Sequence, residues 1–237
     1  MKMIVSLMSV TAILLVALAG PLYKFGVVEL GTAFAGFKFG LFAGIAALVL
    51  LAIQLLFKRN TASIGSALTS AVLAVAAIAV PLGMMNTAKN VPPIHDISTD
   101  LVNPPEFVAI APLRADAPNP VAYAGAEVAE QQRKAYPDLQ TLTYAQSKSE
   151  LIKAAKQAME NLGWELVNTD ADKGIIEATE TTAWFGFEDD VIIRVTDNDS
   201  ERLVDIRSKS RIGKSDLGKN AARIHTLVDE LDNVLNK

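Results

Sequence analysis

Three long apolar runs free of charge occupy the first part of this chain, and they restrict what it can fold into more than any other feature. They are Met3 to Ala19, Phe39 to Phe57 and Ser63 to Met85. At 1.5 Å of helix rise per residue, about 20 apolar residues cross a bilayer core. The runs therefore predict three transmembrane helices at about 3–19, 38–57 and 64–85, an anchor covering residues 1–85. The first run has a second reading: Lys2, the apolar stretch and Ala17-Leu18-Ala19 resemble a signal peptide with a small-residue cleavage site. A retained helix is favoured, because the basic start is thin and the apolar run is long. Lys58 and Arg59 in the short loop between the second and third runs favour an inside loop. The N-terminus is then inside and everything after Met85 on the trans side of the membrane.

Charge divides the chain at the same place. Residues 1–85 hold five Lys or Arg and one Glu, whereas residues 86–237 hold 17 Lys or Arg and 25 Asp or Glu. An acidic outer domain lacks the clustered positive charge that nucleic acid requires. The chain has no cysteine, which excludes thiol catalysis and disulfides.

Within the spans, Gly36, Gly40 and Gly44 share one helical face, and Ser66, Ser70 and Ala74 another. Small residues let helix backbones approach in lipid. Such faces serve packing inside one bundle or the seam of a homodimer, with the first favoured. Apart from Lys38 at a border, the spans hold no ionisable group, and Gln54 is their one strong polar side chain. Pumps and transporters place charge at mid-membrane, so this part reads as an anchor.

Eight of the ten prolines lie between Pro92 and Pro137. That density predicts an extended strap over 86–145, with at most one short helix around Ala124–Ala135. From residue 146 the pattern becomes regular. Ser147 and Glu150 form a capping box for a helix ending at Gly163, with Leu151, Ala155, Met159 and Leu162 on one face. Four strands follow, at 164–169, 174–182, 190–196 and 202–210. One face is apolar (Trp164, Leu166, Ile176, Ala178, Val191, Ile193, Val195, Val204, Ile206). The other carries Glu177, Thr179, Arg194, Asp205, Arg207 and Lys209 and is expected to be wet. A last helix, capped by Ser215 or Asp216, repeats Leu217, Ala221, Ile224, Val228, Leu231 and Leu235. The expected domain, 146–237, is two-layer α+β, order α-β-β-β-β-α, with both helices on one face of a four-stranded antiparallel sheet.

Four strings now stand out: VPPIHDISTDLVNPPEF from Val91, QQRKAYPDL from Gln131, WFGFEDDVIIRV from Trp184 and SRIGKSDLGKNAARI from Ser210. On these the chain resembles a bacterial and plastid domain-of-unknown-function family, number 1499, over about residues 90–226. The resemblance implies a membrane-anchored or lumenal domain of the cell envelope or thylakoid and no established activity. The anchor varies among members, so the three-helix reading rests on this sequence alone.

Three groups of residues could carry function. His95, Asp96 and Asp100, with Ser98 and Thr99 between them, offer ligand and general-base chemistry. The plainer account is that the carboxylates cap turns and His95 pins the strap. A Ser98/His95/Asp96 triad is disfavoured, because near neighbours on an extended chain point apart. Trp184, Phe185 and Phe187 form an aromatic hairpin tip, able to touch a partner or the membrane or to fold under and plug the core. The neighbouring Asp189 and Asp190 read as a solvated strand start, or less readily as a metal pair. Arg207, Arg211, Lys214, Ser215, Asp216, Asn220 and Arg223 gather cations at a helix N-terminus, an anion-binding arrangement. A polar cap salt-bridged to the sheet is the plainer reading. Gly213-Lys214-Ser215 is not a P-loop, because position 208 is Ser where a glycine is required.

The expectation is an integral envelope protein without cofactor or metal, whose outer domain binds a protein partner or a small anionic or lipidic ligand. The alternative is a membrane-bound hydrolase or metal-dependent enzyme using His95, Asp96 and Asp100.

Overall fold

A computed structural model describes residues 1–57 and 63–236. Lys58 and Arg59, on which the inside loop was argued, lie outside the described residues. The chain divides into two compact units: residues 1–89 with 183–186, and residues 90–182 with 187 onward.

The first unit is helical. Helix α1 (Lys2–Ala17) ends beside Leu18, and the short α2 (Ala19–Lys24) follows. Two long helices complete the unit, α3 (Leu30–Phe57) and α4 (Ile64–Asn90), with Pro81 inside α4. Among the described residues two helices, α3 and α4, are long and apolar enough to cross a membrane by length and composition. The first of the three expected spans, α1, is a 16-residue apolar helix and falls short of that length. The glycines on α3 have a local reason. A Cβ on Gly40 would stand 2.6 Å from Val16 Cγ2 and 2.9 Å from the Ala12 carbonyl oxygen, and one on Gly36 would stand 2.8 Å from the Leu15 carbonyl oxygen. A Cβ on Gly44 would meet Ala74 and Ile78 of α4. The stripe is thus used for close approach within one bundle.

The second unit is α+β. Its elements are β1 (Asp96–Ser98), α5 (Ile110–Leu113), α6 (Ala126–Ala135), β2 (Leu142–Tyr144), α7 (Lys148–Asn161), β3 (Glu165–Asp170), β4 (Ile175–Thr181), β5 (Glu188–Asn198), β6 (Glu201–Ser210) and α8 (Lys219–Val234). All strands pair antiparallel in the order β1-β6-β5-β4-β3, with β2 also on the outer edge of β6. The Ser147–Glu150 capping box forms at the start of α7. A two-residue turn joins β5 to β6, with Asp199 at φ 50°. Trp164, Ile176, Ala178, Val191, Ile193, Val195, Val204 and Ile206 pack with Leu151, Ala155 and Met159 of α7 and with Ile224, Leu227 and Leu231 of α8. That is the expected apolar core, helices on one face.

Two expectations about this unit are corrected. The sheet has six strands rather than four, because the proline-rich segment supplies β1 and β2. The strap therefore belongs to the domain, which begins at Asn90. The second sheet face is not wet: Glu177, Thr179, Asp205, Arg207 and Lys209 are buried, and Arg194 is half-buried. The segment between β1 and α6 makes the difference. Phe107 and Ile110 pack on Ile192, with Ile175, Val167 and Val121 around them, as a second small core. A sheet with one face on helices and the other under a strap has no wet face, and its charged residues must find partners inside.

Candidate functional site

Alternation along β5 and β6 sends adjacent residues to opposite faces, and this splits the charged residues into two clusters. Under the strap, Asp96 of β1 lies at the centre of the first. Arg207 donates to it from Nε at 2.9 Å and Nη2 at 3.0 Å, and Lys209 donates from Nζ at 2.8 Å. Strap carbonyls take the remaining donors: Arg207 reaches Pro105 O and Val121 O, and Lys209 reaches Ala122 O. The Arg207 guanidinium also lies over the rings of Phe107 and Tyr123, 5.0 and 5.3 Å from their centroids.

Next along the same face, Asp190 accepts from Arg114 of the strap at 2.9 Å and from Arg211 at 2.8 and 2.9 Å. Burial pulls the Arg114 and Lys209 pKa values down against the pull of Asp190 and Asp96, whereas the bonds that Arg211 donates to Asp190 hold its own pKa up. Burial pushes the Tyr123 phenol up to about 12, so it stays neutral. Glu177 accepts from the successive amides of Val108, Ala109 and Ile110 at 2.8, 2.8 and 3.3 Å, at the start of α5. Farther along, Arg194 joins Asp100 at 2.9 Å to Asp205 at 2.8 Å.

The second cluster sits on the helix side. Arg223 of α8 pairs with Glu180, and with Asp189 at 2.6 Å. Asn220 bonds Ser208 at 2.6 Å, Ser210 at 3.0 Å and the His95 carbonyl at 3.1 Å. Burial outweighs Arg223 and raises the Asp189 pKa. Asp189 and Asp190 therefore each face their own arginines, on opposite sides of the sheet, and are not a metal pair. Among the described residues no group of three His, Asp or Glu side chains is placed to hold a metal ion.

Each sequence-chosen residue can now be placed. Arg207 and Arg211 are on the strap side and Arg223 on the helix side, so the basic string is not one surface. The N-terminus of α8 is occupied by the chain itself: Asp216 accepts from the amides of Gly218 at 2.7 Å and Asn220 at 2.9 Å. Ser215 accepts from Leu217, which precedes the helix at φ 57° rather than lying on its apolar face. Lys214 is exposed, and its carbonyl oxygen lies 3.4 Å from His95 Nδ1. Asp96 and Asp100 bind different arginines, and His95 contacts neither of them in this arrangement. The tip divides too: Trp184 and Phe185 belong to the helical unit, where they meet Phe37, and Phe187 belongs to the domain.

Sequence reasoning missed Arg114 and Gln132, and it set Asp190 at a solvated strand start, whereas Asp190 is buried between Arg114 and Arg211. Gln132 accepts from the Ser98 amide at 3.0 Å and donates to the Ser98 carbonyl at 2.6 Å, so one side chain replaces a neighbouring strand along β1. Arg114 and Asp116 are the only charges between Glu106 and Glu127, a signal that could have marked Arg114 as an anchor.

A sheet packed by helices on one side and latched by an ion-paired strap on the other defines an α+β domain, joined here to an apolar helical unit. The family model described as "Protein of unknown function (DUF1499)" matches residues 96–231, more than half of the chain, and the chain belongs to that family. The match runs from the first residue of β1 into α8, so the strap is inside the family's unit. Comparison with curated proteins finds no match.

Proposed function

We propose that this is an integral membrane protein of the bacterial inner membrane, N-terminus inside, whose periplasmic domain is a scaffold for a protein partner or a small anionic or lipidic ligand. One observation carries the anchor. Phe39, Phe42, Val49, Leu68, Val72 and Val75 on the two long helices are each more than half exposed. A water-soluble bundle turns such side chains inward, and hydrocarbon is the solvent that suits them. On this reading α1 lies in the bilayer with α3 and α4. Asp96 supports the scaffold reading over the enzymatic one: both its oxygens are taken by buried cations, which suits a structural carboxylate more than a general base. The test is extraction of membranes at alkaline pH, with an alkaline phosphatase fused to the C-terminus. Retention in the pellet with active phosphatase is expected; release would overturn the anchor, and an inactive fusion the orientation.

A further inference from the structure

We propose that Tyr23, Lys24, Phe25 and Trp184 form a collar that seats in the headgroup zone of a phospholipid bilayer, fixing where the membrane boundary crosses the helical unit. This rests on the anchor reading and adds to it the level at which the bilayer stops. The collar is built at one end of the unit, where α1 ends, α2 runs and α3 begins. The Trp184 indole N–H donates to the Ala17 carbonyl at 3.1 Å, a group left over where α1 stops. A Cβ on Gly20 would stand 2.5 Å from Trp184 Cδ1, so that glycine is what lets the ring approach. Phe185, Phe34 and Phe37 stack beneath, with centroids 5.8 Å apart for both Phe34–Phe185 and Phe37–Phe185, and Tyr23 is 6.2 Å from Phe185. Lys24 donates to the Ala183 carbonyl at 3.2 Å and is exposed.

The gradient of side chains argues for lipid. On the helix side of the collar lies an apolar groove of 280 Å³, lined by Leu14, Leu18, Leu22 and Val28 with only the hydroxyls of Thr11 and Thr32. Its leucines are partly exposed and continue the outward apolar surface. Next to them on α2 stand the Tyr23 ring and the exposed Lys24, whose stem lies along Gly186. Hydrocarbon-facing leucines, then Trp and Tyr, then Lys, is the order in which a bilayer changes from chain to headgroup. The Lys24 cation matches the phosphate of either leaflet's lipids.

The chain carries two tryptophans, Trp164 in the domain core and Trp184 in the collar. The full chain is reconstituted in phosphatidylcholine–phosphatidylglycerol vesicles with bromine placed near the glycerol or the methyl end of the acyl chains. The fluorescence of W184F is subtracted from that of the parent, and W164F, which leaves Trp184 alone, provides a second route to the same signal. We expect the Trp184 signal to be quenched about twofold more by the shallow bromines than by the deep ones. An unquenched Trp184 in chains that float with the vesicles, shielded by a partner protein or simply in water, overturns the collar alone. Deeper bromines quenching more would also overturn it. Chains that fail to float overturn the anchor reading as well.

Discussion

Arg207 and Asp96 form a two-pronged ion pair across the β1–β6 edge, with side chains 2 % and 0 % exposed. Lys209 adds a second cation to the same carboxylate, which buried placement would forbid if strap carbonyls did not take the remaining donors. The pair explains why a proline-rich segment lies on a charged sheet: the sheet's cations bind its main chain, which needs no particular side chain to be recognised.

Removing the carboxylate leaves both cations buried without an anion. Asp96→Asn is expected to destabilise the domain by about 3–5 kcal/mol, the cost of breaking a buried pair from one side. Replacing Asp96, Arg207 and Lys209 together by apolar residues should cost less than Asp96→Asn alone. Denaturant unfolding of the full chain in detergent, followed by near-ultraviolet dichroism, measures both.

Glu177 gathers the amides of Val108, Ala109 and Ile110, so it reports on the strap without touching the ion pairs at Asp96. Glu177→Ala deletes charge-assisted hydrogen bonds of about 1.5–3 kcal/mol each. Hydrogen exchange should accelerate at residues 108–110 while the amides of β5 and β6 keep their protection. Uniform acceleration through the sheet would show that the strap is not a separable layer.

The core face was legible because alternation is a local property: Ile176 and Ala178, or Val191, Ile193 and Val195, declare one side whatever lies above them. The other face declares only that it is polar, since Arg207 and Lys209 look the same in sequence whether they meet water or a buried Asp96. Their partners lie about a hundred residues away on a segment whose own pattern, dense in proline, carries no period. The binding string failed for the same reason. Consecutive residues from Arg207 to Arg223 cross a strand, a loop and a helix, and contiguity in sequence does not survive the pleat. The capping box at Ser147 was legible because both partners lie within one turn.

Two carboxylates should respond oppositely to acid. Burial pushes the Asp100 pKa up, but the amides of Asn103 and Val102 together with Arg194 outweigh it, and the folded value lies below 3.8. Its contribution to stability is complete above 3.8 and is lost as pH falls from there through the folded value. Asp189 is raised above 3.8, so its ionisation costs stability as pH rises from 3.8 through its folded value. Unfolding measured against pH should show the advantage of the parent over Asp100→Asn fading in acid. Asp189→Asn should lack the loss on raising pH that Asp189 itself imposes, set against the bond to Arg223 that the variant weakens at all pH values.

The close approach of α1 and α3 gives the last expectation. A methyl group at Gly40 would meet Val16 at 2.6 Å and the Ala12 carbonyl at 2.9 Å, and a backbone carbonyl cannot swing aside as a side chain can. Gly31, on the same helix, has nothing within 4 Å of an added Cβ. Gly40→Ala should therefore destabilise the bundle by about 1–3 kcal/mol as overpacking, and Gly31→Ala should not. Thermal unfolding in detergent separates the two. If Gly40 instead served a seam between two copies, Gly40→Ala would shift the oligomer distribution on a sizing column and leave the melting of the dissociated chain unchanged. The distances to Ala12 and Val16 predict the opposite pattern, a lower melting temperature at every protein concentration.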